Sequence, residues 1–399
     1  MLFRPKRMLR NLIVAVGLLI SAVIGAEFWL RATTGPAVDL VASRAVQSVQ
    51  VLLKPSAIRH HELLPGATLQ MTSASGRQAR IRIGPAGFRE SSDGSESRPS
   101  AGRNGNRFRI LFLGDDTVFG TGVDQQYTVT SLLQELLSKR LDTEVEVINA
   151  GVPGYCPLLS ALQYREQGRD LKPDLVILHF DMTDIADDAC YRRLLIQNGE
   201  ISHCVHSSLK EDDSGRTPER DSFWKSELRR SALARLTIDH VQEALEGRSA
   251  ATATTDAGDS AFAWLSDDPP DMRLQVRHAL EPIQLVKQLA DESGAKFLLT
   301  STPIHWQIVS SDVYPELTKQ ERVSGVTPYS SQLPSEVLKQ FCSDRGIRLL
   351  DCRQAFSQSE AGIKLFSRGH LTPSEIGMAL YAKQIADFLT RRSPSDGGS

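Results

Sequence analysis

The sequence predicts an α/β protein: a three-layer α/β/α sandwich with a central parallel sheet, preceded by a transmembrane helix and a small β-rich preface. Three observations predict it. From residue 107 onward, short apolar runs alternate with segments of helical period, and such alternation specifies parallel βαβ units. Residues 12–30 form an apolar run behind a basic flank. Between the two lie short stretches of alternating polarity, broken by Gly and Pro, the mark of small strands.

At the amino terminus, Arg4, Lys6, Arg7 and Arg10 precede uncharged residues 12–26, and Phe28-Trp29-Leu30 extend the apolar run past Glu27. The length is close to the ~20 residues a spanning helix needs, and the basic flank stays cytoplasmic. A single-pass membrane protein with its main domain extracytoplasmic is therefore expected. A cleaved signal peptide is the alternative, since Val23 and Gly25 are small enough for a cleavage site. The expected organisation is a flank and anchor over 1–31, a partly helical stalk over 32–62, a preface and Ser/Gly-rich linker over 63–106, the main domain over 107–391 and a disordered tail over 392–399.

In the main domain, strands are expected at 107–113, 144–148, 174–180, 296–300 and 347–350. Helices are expected at 130–140, 158–168, 221–245, 273–289, 334–341 and 373–389. The site should then lie at the carboxyl ends of the strands. A net charge of -2 with 24% charged and 41% hydrophobic residues excludes a disordered chain and gives no nucleic-acid-binding excess. No CxxC pair supports a structural zinc, and no cofactor or metal residues are assigned. Cys190 with Cys204, and Cys342 with Cys352, are spaced to close short loops, against a second possibility of five buried thiols.

Four blocks carry chemistry. Gly114-Asp115-Asp116-Thr117-Val118-Phe119-Gly120 follows the first strand. Asn149-Ala150-Gly151-Val152-Pro153-Gly154 follows the second, Asp181-Met182-Thr183-Asp184 the third, and Ser367-Arg368-Gly369-His370 precedes the last helix. In order and spacing they resemble the blocks of the SGNH (GDSL-type) hydrolases, and residues 83–89 (Ile-Gly-Pro-Ala-Gly-Phe-Arg) resemble the preface of anchored members. The resemblance implies a flavodoxin-like fold and an acyl ester or glycan ligand. Position by position it sets Asp116 where the family has its serine nucleophile, Gly154 at the oxyanion amide and Thr183 at the asparagine donor. Ser367 stands at the histidine-orienting aspartate and His370 at the histidine.

Acyl transfer needs an activated nucleophile, an oriented base and oxyanion donors, and here only Gly154 and His370 match. Three functions follow. The chain is an inactive binding or scaffold module; or it is an enzyme using the Asp116 carboxylate as nucleophile or base with His370, Gly154 and Thr183; or it is a metal-binding hydrolase through Asp115, Asp116, Asp184 and His370. In the second case Thr183 donates one hydrogen bond and Ser367 holds His370 Nδ1. Asp115 is expected as a structural acceptor, Asp184 as a helix cap, and Asp187 and Asp188 as surface charges. Packing roles are expected for His305, for His179 at the core edge, and for Trp224, Trp264 and Trp306.

Overall fold

The computed structural model describes residues 49–73, 76, 78–91, 107–197, 201–209, 262–265, 269, 271–309, 331–367 and 371–391. The expected membrane span, the helix at 221–245, Trp224, His370 and the tail lie outside them. Among the described residues no helix is long and apolar enough to cross a membrane.

The preface is two antiparallel pairs, β1 (Leu53–Pro55) with β2 (His61–Leu63) and β3 (Thr68–Thr72) with β4 (Gln78–Arg82). The first pair falls in the stretch expected to be a helical stalk. A turn with His60 at φ 60° reverses the chain there, and pairing of Leu53 with Leu63 sets Leu63 inside.

The main sheet contains β5 (Arg107–Gly114), β6 (Glu144–Gly151), β7 (Leu175–Phe180), β10 (Lys296–Ser301) and β11 (Leu349–Asp351), all parallel. Its spatial order is β11-β10-β7-β5-β6. The order reverses between β5 and β7, which is where open α/β sheets bind ligands. A small hairpin, β8 (Leu195–Gln197) with β9 (Ile201–Cys204), forms its own two-stranded sheet, and its Cys204 bridges to Arg59 in the preface.

The helices are α1 (Asp116–Phe119), α2 (Val129–Arg140), α3 (Pro157–Gln163), α4 (Asp184–Arg192), α5 (Arg273–Glu292), α6 (Leu333–Asp344), α7 (Arg353–Ser357) and α8 (Glu375–Thr390). Side chains alternate across a strand, so Leu111, Leu113, Val176 and Leu178 pack in one core with Ala279, Ile283 and Val286 of α5. Ile110, Phe112, Leu175 and Ile177 pack in the opposite one with Leu133 of α2 and Met378 and Ile385 of α8. Trp264 and Trp306 are buried.

The helix expected over 158–168 is α3 followed by a π turn, Tyr164–Gly168. Gly168 lies against Tyr164 and Leu111, closer than a Cβ would permit. The two expected disulfides are absent: all five cysteines are thiols. Cys204 points its Sγ at the Tyr191 carbonyl, 3.5 Å away, while Cys190 is exposed on α4 and Cys342 and Cys352 are buried.

Candidate functional site

The first two blocks meet at the elbow after β5. Asp115 caps α1, its Oδ1 accepting from the Thr117 amide at 3.0 Å. Gly151, at the end of β6, lies so close to the α1 backbone that a Cβ would run into Phe119, which brings the 151–154 loop beneath the elbow. As a result the Asp116 carboxylate reaches across it. Oδ2 accepts from the Gly154 amide at 3.0 Å and Oδ1 from the Thr121 hydroxyl at 2.6 Å. Burial, reinforced by the charge of Asp115, pushes Asp116 up to about 6 against the bonds from Thr121 and Gly154. The group is half-buried and reaches the surface.

The preface holds this arrangement from behind. His61 Nε2 lies 2.8 Å from the Pro153 carbonyl, which only accepts, so this nitrogen carries the proton. Burial lowers the pKa of His61, keeping the ring neutral and leaving Nδ1 as acceptor for His60 Nδ1–H at 2.9 Å. Pro153 C=O and Gly154 N–H belong to one peptide unit. A single chain of hydrogen bonds therefore runs from His60 through His61 and that peptide to Asp116, each bond polarising the next. Burial, then the charges of His61 and His206, lowers His60 to about 4.

Arg89 is fully buried, and its guanidinium donates to the carbonyls of Phe119 (2.6 Å), Gly120 (2.7 Å) and Val123 (2.7 Å). Loss of hydration lowers its pKa to about 9. It closes the end of α1, where Gly120 takes φ 81°, and so fixes the loop carrying Thr121. None of His61, Arg89 and Thr121 was identified as functional from the sequence. The only signal was the position of Arg89 at the end of the preface motif.

The third block sits beside the elbow in a more acidic setting. Thr183, at the asparagine position, spends its hydroxyl on Asp181 Oδ1 at 2.7 Å, and its amide binds the same oxygen at 2.8 Å. Asp184 does not cap α4 as expected: its carboxylate accepts from the Asp181 amide at 2.7 Å, and Thr183 is the N-cap residue, its side chain making no bond to the helix. Asp188, expected at the surface, is 1% exposed and pairs with Arg192 one turn on at 2.8 and 2.9 Å. Asp115 keeps its acceptor role but also faces His179 Nδ1 at 3.2 Å, and His179 Nε2 meets Thr302 Oγ1 at 2.9 Å. His179 thus lies buried inside the acidic group rather than at the core edge.

Burial and the charge of Asp115 push Asp181 up to about 6, while burial and the charge of Asp181 hold Asp184 well above the carboxylate range. For His179 burial acts downward, but the bond to Asp115 and the charges of Asp115 and Asp181 raise it overall. Ser367 is buried and donates to the Pro373 carbonyl at 3.1 Å, so its hydroxyl is engaged within its own turn. His305 packs against Trp306 at 4.4 Å between ring centroids, and burial lowers it to about 4.

Asp116, Gly154, Asp115 and Asp181 are thus gathered at the ends of β5, β6 and β7, whereas Thr183 and Ser367 are committed to local bonds. Such a site can hold or exchange a proton near pH 6. It offers no hydroxyl at position 116, and the Gly154 amide, expected from the sequence as an oxyanion donor, is already taken by Asp116.

No family model and no curated protein matches the chain. Solved structures similar to it include the acetylxylan esterase Axe2 from Geobacillus stearothermophilus, at 13% identity and a TM-score of 0.37, with 71% of this chain and 95% of that one covered. A lipase/acylhydrolase from Enterococcus faecalis is 14% identical with a TM-score of 0.37 over the same shares, 71% and 95%. A GDSL-like lipase from Bacteroides thetaiotaomicron is 12% identical with a TM-score of 0.35 over 70% of this chain and 87% of that one.

Proposed function

We propose that the chain is a membrane-anchored, extracytoplasmic protein of SGNH (GDSL) type that binds an acyl ester or acylated glycan without hydrolysing it. The blocks of this chain support the family, three of them following adjacent parallel strands in flavodoxin-like order. One observation carries the inactivity: the Asp116 carboxylate accepts from the Gly154 amide, filling the place where an acyl oxyanion would have to form. An acylation transition state would have to displace an ion already held by two donors, and it would find no serine. Loss of one oxyanion donor alone costs about 2.7–4 kcal/mol in such reactions.

A second function is favoured by a separate observation. A carboxylate raised to about 6 and still partly exposed has the proton affinity of a general base near neutrality.

Hydrolysis of p-nitrophenyl acetate by wild type, Asp116→Ala and His370→Ala decides between them. Binding predicts no turnover above buffer in any of the three, with an acetylated xylo-oligosaccharide still bound by His370→Ala in calorimetry. Wild-type turnover lost in both variants would overturn the inactive assignment and establish a carboxylate–histidine esterase.

A further inference from the structure

We propose that Asp115, His179 and Asp181 form a site for one divalent transition-metal ion, Zn²⁺ or Mn²⁺, buried beneath the elbow. The three come from the end of β5, the body of β7 and the residue after β7. One ligand atom from each lies within 4.8 Å of the others, and all three residues are buried. His179 Nδ1 and Asp115 Oδ1 stand 3.2 Å apart. Two ligands bound to one ion at about 2.0–2.2 Å stand roughly 3.0–3.4 Å from each other in octahedral or tetrahedral geometry, so this spacing suits shared coordination.

The surroundings of the imidazole fit as well. His179 Nε2 meets the Thr302 hydroxyl at 2.9 Å, so Nε2–H can donate there, and an ion would take the place of the Nδ1 proton that Asp115 accepts. Metal-bound histidines use their second nitrogen in this way. Charge points in the same direction. Asp184, whose Oδ2 accepts from the Asp181 amide, adds a third carboxylate, and Asp116, next in the chain to Asp115, a fourth. Among the described residues, the one ion pair made by Asp115, Asp116, Asp181 and Asp184 is that of Asp115 with His179. Buried carboxylates require compensation, and a divalent ion supplies it. With an imidazole among the ligands, zinc or manganese suits the set better than calcium or magnesium.

The surface histidines do not form a comparable set. Among the described residues, Asp115, His179 and Asp181 are the one set of three or more such ligands that comes together.

The test uses the full-length chain purified without chelator. Elemental analysis after dialysis against Zn²⁺ is expected to find about one ion per chain. Co²⁺ in its place should give visible d–d bands without a thiolate charge-transfer band. His179→Gln and Asp181→Asn should each weaken uptake at least tenfold, Thr302→Val roughly tenfold, and His60→Ala should leave it intact. A folded wild type that takes up no ion overturns the proposal, as does a Co²⁺ spectrum carrying thiolate bands. Uptake that disappears in His60→Ala, or survives both His179→Gln and Asp181→Asn, overturns it too. Ester hydrolysis is not read in any arm, so the outcome is independent of the function proposed above.

Discussion

Replacing Asp116 by Asn should protect the protein from a loss of stability that wild type suffers as pH rises from about 4 to about 6. The carboxyl is raised from 3.8 to about 6 in the folded chain, chiefly by burial. The native state therefore holds this proton more tightly than the unfolded state does. Below pH 3.8 both states are protonated and the group costs nothing. As pH rises toward 6 the unfolded chain ionises first, and stability is lost until the folded group has ionised too. A shift of about 2 units corresponds to about 2.7 kcal/mol, and because the side chain is half-buried, solvent screening trims this to about 1–2 kcal/mol. In Asp116→Asn the amide oxygen can accept from Gly154 and the NH₂ can donate to the Thr121 hydroxyl, so neither partner is orphaned. The raised groups Asp181 and Asp184 remain in both proteins, and their contributions cancel in the difference. Urea unfolding of both proteins at pH 4 and pH 8 reads the effect: relative to wild type, the variant should gain about 1–2 kcal/mol between the two conditions. A difference that is flat with pH, or that falls, would refute the idea that the elbow carboxylate is held above its ordinary range by burial.

Other outcomes concern the preface. Arg89→Met strands three buried carbonyls, each worth about 1–3 kcal/mol when unsatisfied, but removes a desolvated charge. A net loss of about 3 kcal/mol is expected, seen as a fall in melting temperature of roughly 6–12 °C; a change under 2 °C would show that Arg89 does not hold the elbow. His61→Phe removes the donor to Pro153 and should cost about 1–2 kcal/mol. Hydrogen exchange at the Gly154 amide should speed up several-fold in that variant, and unchanged exchange would break the proposed relay.

Much of the fold was legible because each main strand carries its own pattern. Residues 107–113 and 174–180 are apolar on both faces, as strands covered by helices must be, and the helices on either side keep a 3.6-residue period. What was not legible depends on contacts remote in sequence. His179 reads as one polar residue in an apolar strand, and nothing local says that Asp115 and Thr302 approach it from neighbouring strand ends. Asp188 looked like a surface charge because the sequence does not show which face of the helix after Asp184 is buried; in α4 Arg192 falls one turn away and pairs with it in the interior. Thr183 and Ser367 were read as weakened replacements. Their hydroxyls bond two and six residues away, the common fate of short polar side chains in turns, so their roles were fixed by local geometry that residue type alone does not disclose.

The preface is therefore part of the site rather than a spacer. Arg89 fixes the carbonyls at the end of α1, and His61 fixes the peptide that presents the Gly154 amide. The two act on opposite sides of Asp116, one through the loop bearing Thr121 and the other through the 151–154 loop. With both of its oxygens engaged by groups that the preface positions, Asp116 is held in one orientation, which is the condition for a defined binding surface. The same rigidity opposes catalysis, since a nucleophile must leave its resting hydrogen bonds to attack, and here each bond is anchored by a second buried contact.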